Sequence, residues 1–500
     1  MNIGNRTLNL CLSILAFGVL NVHAQKFKKM PEAKLEVSSV EKHIRFLASD
    51  ELMGRKTGHA GNNSAARYIA EEFRSYGLTS VNEGSYFQEI PFVNNYQPEG
   101  SKIVAGAEVL KVNEDYLAMN GTGIQLKDVE KVHIGYAWIS EDGTHNDYKD
   151  VDVKGKIVVA QIGTPETTGF RDMFAASKRK EELAIENGAI ALIEIFTSPV
   201  PWGALVRNFG DGSISLKDSN PTNLPRFLMS AKAGKTIGKG VLDIISLDSD
   251  AWRQELASSN NVIGFVEGSD PNLRDEYVVL TAHFDHIGFH EIHEEGEDYI
   301  FNGARDNAIG VAGLLAAAQS IAAKPAKRSV LFIAYTGEEI GLKGSNYYVQ
   351  NPLLPLDKCI FNLNIDGAGY NDKTKISGIG IARTGAESEI TKAVKAVGLT
   401  LIDEPSPEQG LFDRSDNLSM AVKGIPAPSF SPGFTAFDEE IMKYYHKETD
   451  EADNLDFTYC TKFCQSYAYA GRLIANMKNA PKWITGDKYE DASKVLYSHK

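Results

Sequence analysis

Cysteine is scarce: four in 500 residues cannot form the disulfide framework of a small secreted scaffold. Positive charge is in deficit, with 52 Lys+Arg against 66 Asp+Glu and a net charge of −14. Phosphate backbones demand a basic surface, so no nucleic-acid partner is expected. Beyond the first two dozen residues no apolar run is long enough to cross a bilayer, so the mature chain is expected to have no transmembrane segment. The sequence also lacks internal repeats, low-complexity tracts, a G-x-S-x-G elbow and a Gly-rich phosphate loop with its lysine. What it does have is ordinary globular composition, 43% hydrophobic and 24% charged, at a length that fits two domains or one large elaborated domain.

Arg6 is the only charge before Lys26, and Leu8 to Val22 is almost wholly apolar. Val22-His23-Ala24 supplies small residues at the positions a signal peptidase reads. Residues 1–24 are therefore expected to be a signal peptide and the protein to be exported, either periplasmic or secreted. Cys11 lies at the front of the apolar stretch rather than behind it, which argues against a lipid anchor. Cys359, Cys460 and Cys464 remain; an odd number leaves at least one thiol unpaired within the chain. The last two are four apart on an expected helix, a poor geometry for a mutual disulfide.

The texture changes twice along the chain. Residues 39–78 read as two helices separated by a break at Gly54-Arg55-Lys56-Thr57-Gly58. From about Tyr86 to Asp250, short β-branched runs alternate with turn residues, which predicts a mostly β module with a helix or two. Residues 261–480 alternate strands (277–282, 329–335, 359–365) with helices, one of them (309–323) apolar on nearly every side. That pattern predicts an α/β fold whose mixed, largely parallel central sheet is covered by helices on both faces.

Polar clusters fall at the carboxyl ends of these strands, where loops leave the sheet. His283 and Asp285 are two apart in extended chain and share one face. A neutral imidazole is a good zinc ligand, and a carboxylate behind it fixes its tautomer. Asp306 precedes the apolar helix, where an aspartate is otherwise read as an N-cap. Glu338 and Glu339 end the strand 329–335; adjacent carboxylates there point in different directions, so one can bind metal while the other faces the substrate as a base. Asp366 closes the strand 359–365, and His446 follows two tyrosines far downstream. Each signal alone has an ordinary structural explanation. Together they supply nitrogen and oxygen donors without sulfur, enough for two zinc ions bridged by a carboxylate.

The stretches AHFDHIG (282–288), NGARDNAIGVAGLLAAAQ (302–319), FIAYTGEEIGLKGS (332–345), NLNIDGAG (362–369) and YYHKETDEADNLDF (444–457) resemble the exported zinc aminopeptidases with co-catalytic metals. That family also contains glutamate carboxypeptidase-like and glutaminyl cyclase-like proteins. The resemblance implies the zinc aminopeptidase fold, with a peptidase domain formed by 25–95 and 256–500 and a β-rich insert at 96–255. The insert resembles a protease-associated domain through VDVKGKIVVAQ (151–161) and ENGAIALIEI (186–195). By the same resemblance Asp306 bridges two Zn2+, His283 and Asp366 complete one site, and Glu339 and His446 complete the other. Glu338 would be the general base and Asp285 the partner of His283. Many relatives carry Ser-Asp-His where this chain has Ser415-Asp416-Asn417; that departure bears on specificity rather than on metal ligation.

The implied function is zinc-dependent exopeptidase action on peptide substrates, most simply the hydrolysis of N-terminal residues. Dipeptidase and carboxypeptidase action stay open at this level, as does oligomeric state. Two other classes stand beside it. A glutaminyl-peptide cyclotransferase would work with one zinc, and a receptor-like binding protein on the same scaffold would lose ligands.

Overall fold

The computed structural model describes residues 35–498, except 99, 121, 168, 211, 218–223, 239–242 and 291–292. The leader expected at 1–24 lies outside the described residues. A nine-stranded sheet organises the molecule. Its strands are β1 (Phe87–Tyr96), β2 (Ser213–Leu216), β3 (Arg253–Val266), β4 (Tyr277–His283), β5 (Ser329–Tyr335), β6 (Cys359–Ile365), β7 (Lys375–Ile379), β8 (Thr400–Asp403) and β9 (Ser429–Pro432). Their spatial order is β8-β7-β9-β6-β4-β5-β3-β1-β2. The contiguous centre β5-β4-β6-β9 is parallel, whereas β3, β1 and β2 extend it antiparallel on one side and β7 joins β9 antiparallel on the other.

The central strands are buried on both faces, as their unbroken apolar runs require. Every residue of β4, β5 and β6 is buried. One face is covered by the helix Ile309–Ala323, itself packed against Val37–Leu47, Ala60–Ser75 and Phe457–Ala475. This sandwiching explains why that helix is apolar almost all round. Gly471 permits the close approach of the last helix to the sheet: a Cβ there would lie 2.7 Å from Leu280 Cδ1. On the other face Val279, Leu331 and Ile333 pack against Tyr348, Met420, Trp483 and Tyr489.

A second sheet of eight strands lies between residues 102 and 249. The sequence reading of this segment, mostly β with a helix or two, is corrected by four short helices at Phe170–Ala175, Ser177–Glu186, Trp202–Phe209 and Ala231–Gly238. The physical reason is strand direction. Ile157–Gln161, Ala191–Phe196 and Arg226–Ser230 run parallel, and parallel neighbours need crossover connections. The segment also returns to the central sheet, because β2 pairs with β1. At its centre Lys180 and Arg226 meet Glu194 at 2.5 and 2.6 Å, all buried. Among the described residues no helix is long and apolar enough to cross a membrane. Cys460 and Cys464 are buried free thiols, and Cys359 is buried as well.

Candidate metal and active site

The carboxyl ends of β4, β5 and β6 are adjacent because those strands are parallel neighbours in register, His283 opposite Tyr335 and Ala282 opposite Ile365. Residues that leave these ends are therefore delivered to one place. His283 ends β4, Asp366 follows β6, and Glu338-Glu339 follow β5 after a turn at Gly337, whose φ of 71° favours glycine. Asp306 comes from the turn before the helix Ile309–Ala323, and His446 from the loop ahead of Phe457–Ala475.

Asp306 stands at the centre. Its Oδ1 lies 3.2 Å from His283 Nε2, and its Oδ2 lies 3.2 Å from His446 Nε2. His283 Nε2 is 3.3 Å from Asp366 Oδ1, and His446 Nε2 is 3.2 Å from Glu339 Oε2. Two donors on one tetrahedral zinc, each about 2.0–2.1 Å from it, stand roughly 3.3 Å apart. The donor spacings match that edge length, so the residues fit two divalent cations sharing Asp306. His286 also reaches this cluster, with Asp306 and Glu339. Its Nδ1 lies 2.7 Å from Glu339 Oε1, which is the length of a direct hydrogen bond and too short for a ligand edge. The geometry favours His446 as the donor and His286 as the residue that orients Glu339.

The electrostatics say the same thing. Burial alone would lower His283, but Asp366 and Asp306 raise it well above its ordinary value. Burial would likewise lower His446, yet Glu339 and Asp306 push it up to about 12. Burial would raise Glu339, while His446 and His286 hold it at about 2. A knot of carboxylates this dense draws any available positive charge toward it. Among the described residues no histidine is at hydrogen-bond distance from Glu338; burial, with Asp366 and Glu339 nearby, raises its carboxyl well above the usual range. It lines the open cleft over the site together with Asp306, Glu339, Asp366, Arg414, Tyr445 and His446.

All seven sequence-predicted residues converge. Asp285 is placed differently in detail from the others: its carboxylate is 3.8 Å from His283 Nδ1, and the nearer acceptor for that nitrogen, at 3.2 Å, is Asp285's backbone carbonyl. The carboxylate instead accepts the N–H groups of Glu338 (3.2 Å) and Glu339 (3.3 Å) and the hydroxyl of Thr57 (3.0 Å). Asp306 is not the helix N-cap, a position held by Ala308; the side chain of Asn307 just before it accepts Gly310 N–H through Oδ1 at 3.1 Å while its amide donates to Ile365 O at 2.9 Å. Tyr444 lies under the Arg305 guanidinium, 3.6 Å from it, whereas Tyr445 lines the cleft. Asn417 does not face the cleft. Its buried amide donates to Phe412 O (3.0 Å) and Ala427 O (3.2 Å), and its Oδ1 accepts the Ser429 hydroxyl (3.1 Å), tying the loop before it to β9.

Three supporting residues escaped the sequence reading. Asp450 accepts the backbone N–H groups of Arg305 (2.9 Å) and Asp306 (3.2 Å) and the Arg305 guanidinium (3.1 Å), and so holds the turn that presents Asp306. Its signal was its place four residues after His446. His286 was visible inside the same motif as His283. Buried Arg55 donates to Phe284 O (2.7 Å), Asn302 O (2.6 Å), Gly303 O (3.0 Å) and Leu47 O. Nothing local in its break segment marks it as a clamp.

Residues 261–470 match the sequence model of peptidase family M28. That span contains all seven converging residues. Over this span the chain is similar to peptidase family M28. Among relatives of the M28 region, aminopeptidase YwaD of Bacillus subtilis is 26% identical over 303 residues, covering 57% of this chain. The chain spans 61% of that relative's length. In fold, an aminopeptidase from Aneurinibacillus sp. strain AM-1 aligns with TM-score 0.59 and 20% identity over 90% of this chain and 95% of its own. BSAP, a zinc aminopeptidase from Bacillus subtilis, aligns with TM-score 0.54 and 18% identity over 93% of this chain and 98% of its own.

Proposed function

We propose that the protein is an exported metallo-exopeptidase holding two zinc ions, and that it removes N-terminal residues from peptides. The observation that carries this reading is the split of the Asp306 carboxylate, one oxygen toward His283 and the other toward His446, each at 3.2 Å. A two-metal donor set supports hydrolysis over the one-zinc cyclotransferase, and the full complement of ligands speaks against a binding protein that has lost them. His283, Asp306 and Asp366 would hold one ion, and Asp306, Glu339 and His446 the other. Bound zinc would supply Lewis acidity, polarising a peptide carbonyl and making water a nucleophile near neutral pH. Glu338, facing the cleft with a raised carboxyl pKa, takes the proton from the attacking water and passes it to the leaving amine. Asp285 keeps Glu338 and Glu339 in their separate directions by binding both backbone N–H groups. The Tyr445 hydroxyl, also in the cleft, is the donor available to the developing oxyanion. We read the eight-stranded sheet as the protease-associated insert; its place between β1 and β3 in the chain supports this.

Glu338→Gln should leave zinc bound and lower kcat on aminoacyl-nitroanilides by roughly 10²–10⁴-fold. Wild-type turnover by that variant would refute the assignment of the base. A peptide-library digest with and without chelator, read by mass spectrometry, reports which terminus is cut.

A further inference from the structure

The cleft over the metal ligands has a second charged wall. Among the described residues that line it, Arg414 is the one arginine or lysine. Its Nη2 donates to the Tyr445 hydroxyl at 3.3 Å, and among the described residues no carboxylate comes within ion-pair distance of it. Two other arginines are paired with acids: Arg305 with Asp450 at 3.1 Å and Arg383 with Asp487 at 2.7 Å. The acid beside Arg414 in sequence is turned away, because Asp413 takes Lys488 at 2.7 Å and the Tyr489 hydroxyl at 3.0 Å. A guanidinium carries five donors in a fork matched to a carboxylate. Holding one half-buried with a single phenol partner is costly unless a counter-ion arrives.

The wall is also built to stay in place. Asn417 pins the loop through Phe412 O and Ala427 O. Phe412 packs against Trp483 and Tyr489, ring centroids 6.2 and 5.9 Å away. Ile379, Leu411, Phe434 and Phe437 line the same cleft; their apolar surface excludes water and strengthens a charge pair formed there. Of the cleft's own acids, Asp306, Asp366 and Glu339 are engaged by His283 and His446.

We propose that Arg414 binds a substrate carboxylate beside the scissile bond, so that the cleft selects peptides carrying a negative charge there; this rests on the exopeptidase reading above. The carboxylate is either the side chain of an acidic terminal residue or the free C-terminus of a dipeptide. Two substrate pairs separate these sources: Glu- against Gln-p-nitroanilide, and Leu-Gly against Leu-glycinamide. In the zinc-loaded protein one pair should show at least a tenfold kcat/KM preference for the carboxylate member. Arg414→Gln should bring that ratio to about one, and Arg414→Lys should keep part of it. Because Arg414 touches Tyr445, absolute rates fall for every substrate in these variants; the ratio isolates the charge pair. Calorimetric Kd values for the same four compounds on the Glu338→Gln protein, with and without Arg414→Gln, give the ratio without turnover. Ratios near one in both arms, or ratios unmoved by Arg414→Gln, overturn the proposal. A binding ratio that collapses in Arg414→Gln while the wild type hydrolyses none of the four supports Arg414 and defeats the exopeptidase reading instead. Should Arg414→Gln not fold, the wild-type ratio and Arg414→Lys still decide.

Discussion

A single carboxylate, Asp306, holds the site together. Removing its charge while keeping its shape tests the sharing directly. Asp306→Asn should lower zinc content at both positions together, measured by metal analysis after dialysis; loss of one ion alone would contradict a bridge. The surrounding residues divide their work in a way the donor distances reveal. Ligand-edge spacings of 3.2–3.3 Å mark His283 and His446, while the 2.7 Å contact marks His286 as a hydrogen-bond partner of Glu339. Sequence order alone carries no such information, since His283 and His286 sit in one motif.

Elements are joined to this centre by buried polar side chains. The break between the first two helices delivers Arg55 into the core, where burial lowers its guanidinium pKa to about 10 despite Asp285, Asp306 and Asp450 nearby. Arg55→Met should leave the carbonyls of Leu47, Phe284, Asn302 and Gly303 without this donor and cost more than about 3 kcal/mol. Chemical unfolding of the variant would read that loss. The helix pair itself carries a pH device. His43 is buried, with Nδ1 2.7 Å from the Tyr68 hydroxyl, and burial lowers its pKa from 6.5 to about 4. The unfolded chain then binds more protons than the folded one between those values. Its contribution is whole above pH 6.5 and disappears as pH falls toward 4. The thermal midpoint of His43→Gln should therefore drop less than that of the wild type between pH 7 and pH 5.

For the molecule as a whole, the proposed metal site is also a folding constraint. Asp306, Glu338, Glu339 and Asp366 converge from three parts of the chain, and their mutual repulsion opposes the native state unless cations compensate. Ligands that bind only the folded form stabilise it by about 4 kcal/mol at a thousandfold excess over Kd. Chelation should lower the thermal midpoint by several degrees, and added zinc should restore it; an unchanged midpoint in scanning calorimetry would count against resident ions. The eight-stranded sheet has its own core and its own buried Lys180–Glu194–Arg226 network. The two sheets remain linked through β2.

Much of this protein could be read from one line of residues. Apolar runs that end in His, Asp or Glu state both the buried parallel strands and the polar groups at their ends, because strand burial and strand-end chemistry are local consequences of residue type. The helix Ile309–Ala323 and the strands at 277, 329 and 359 follow from that logic, as do the strand-end positions of His283, Glu338, Glu339 and Asp366, whereas Asp306 and His446 come from a turn and a loop. Other features depend on what lies across space. Whether Asp306 caps a helix or faces two histidines is decided by Asn307 and Asp450. That Asn417 serves a loop rather than the cleft, and that Arg414 faces it without an acid partner, depends on which neighbours the fold brings near. Pairing, burial and distance between remote side chains are properties of packing, and no short window of sequence contains them.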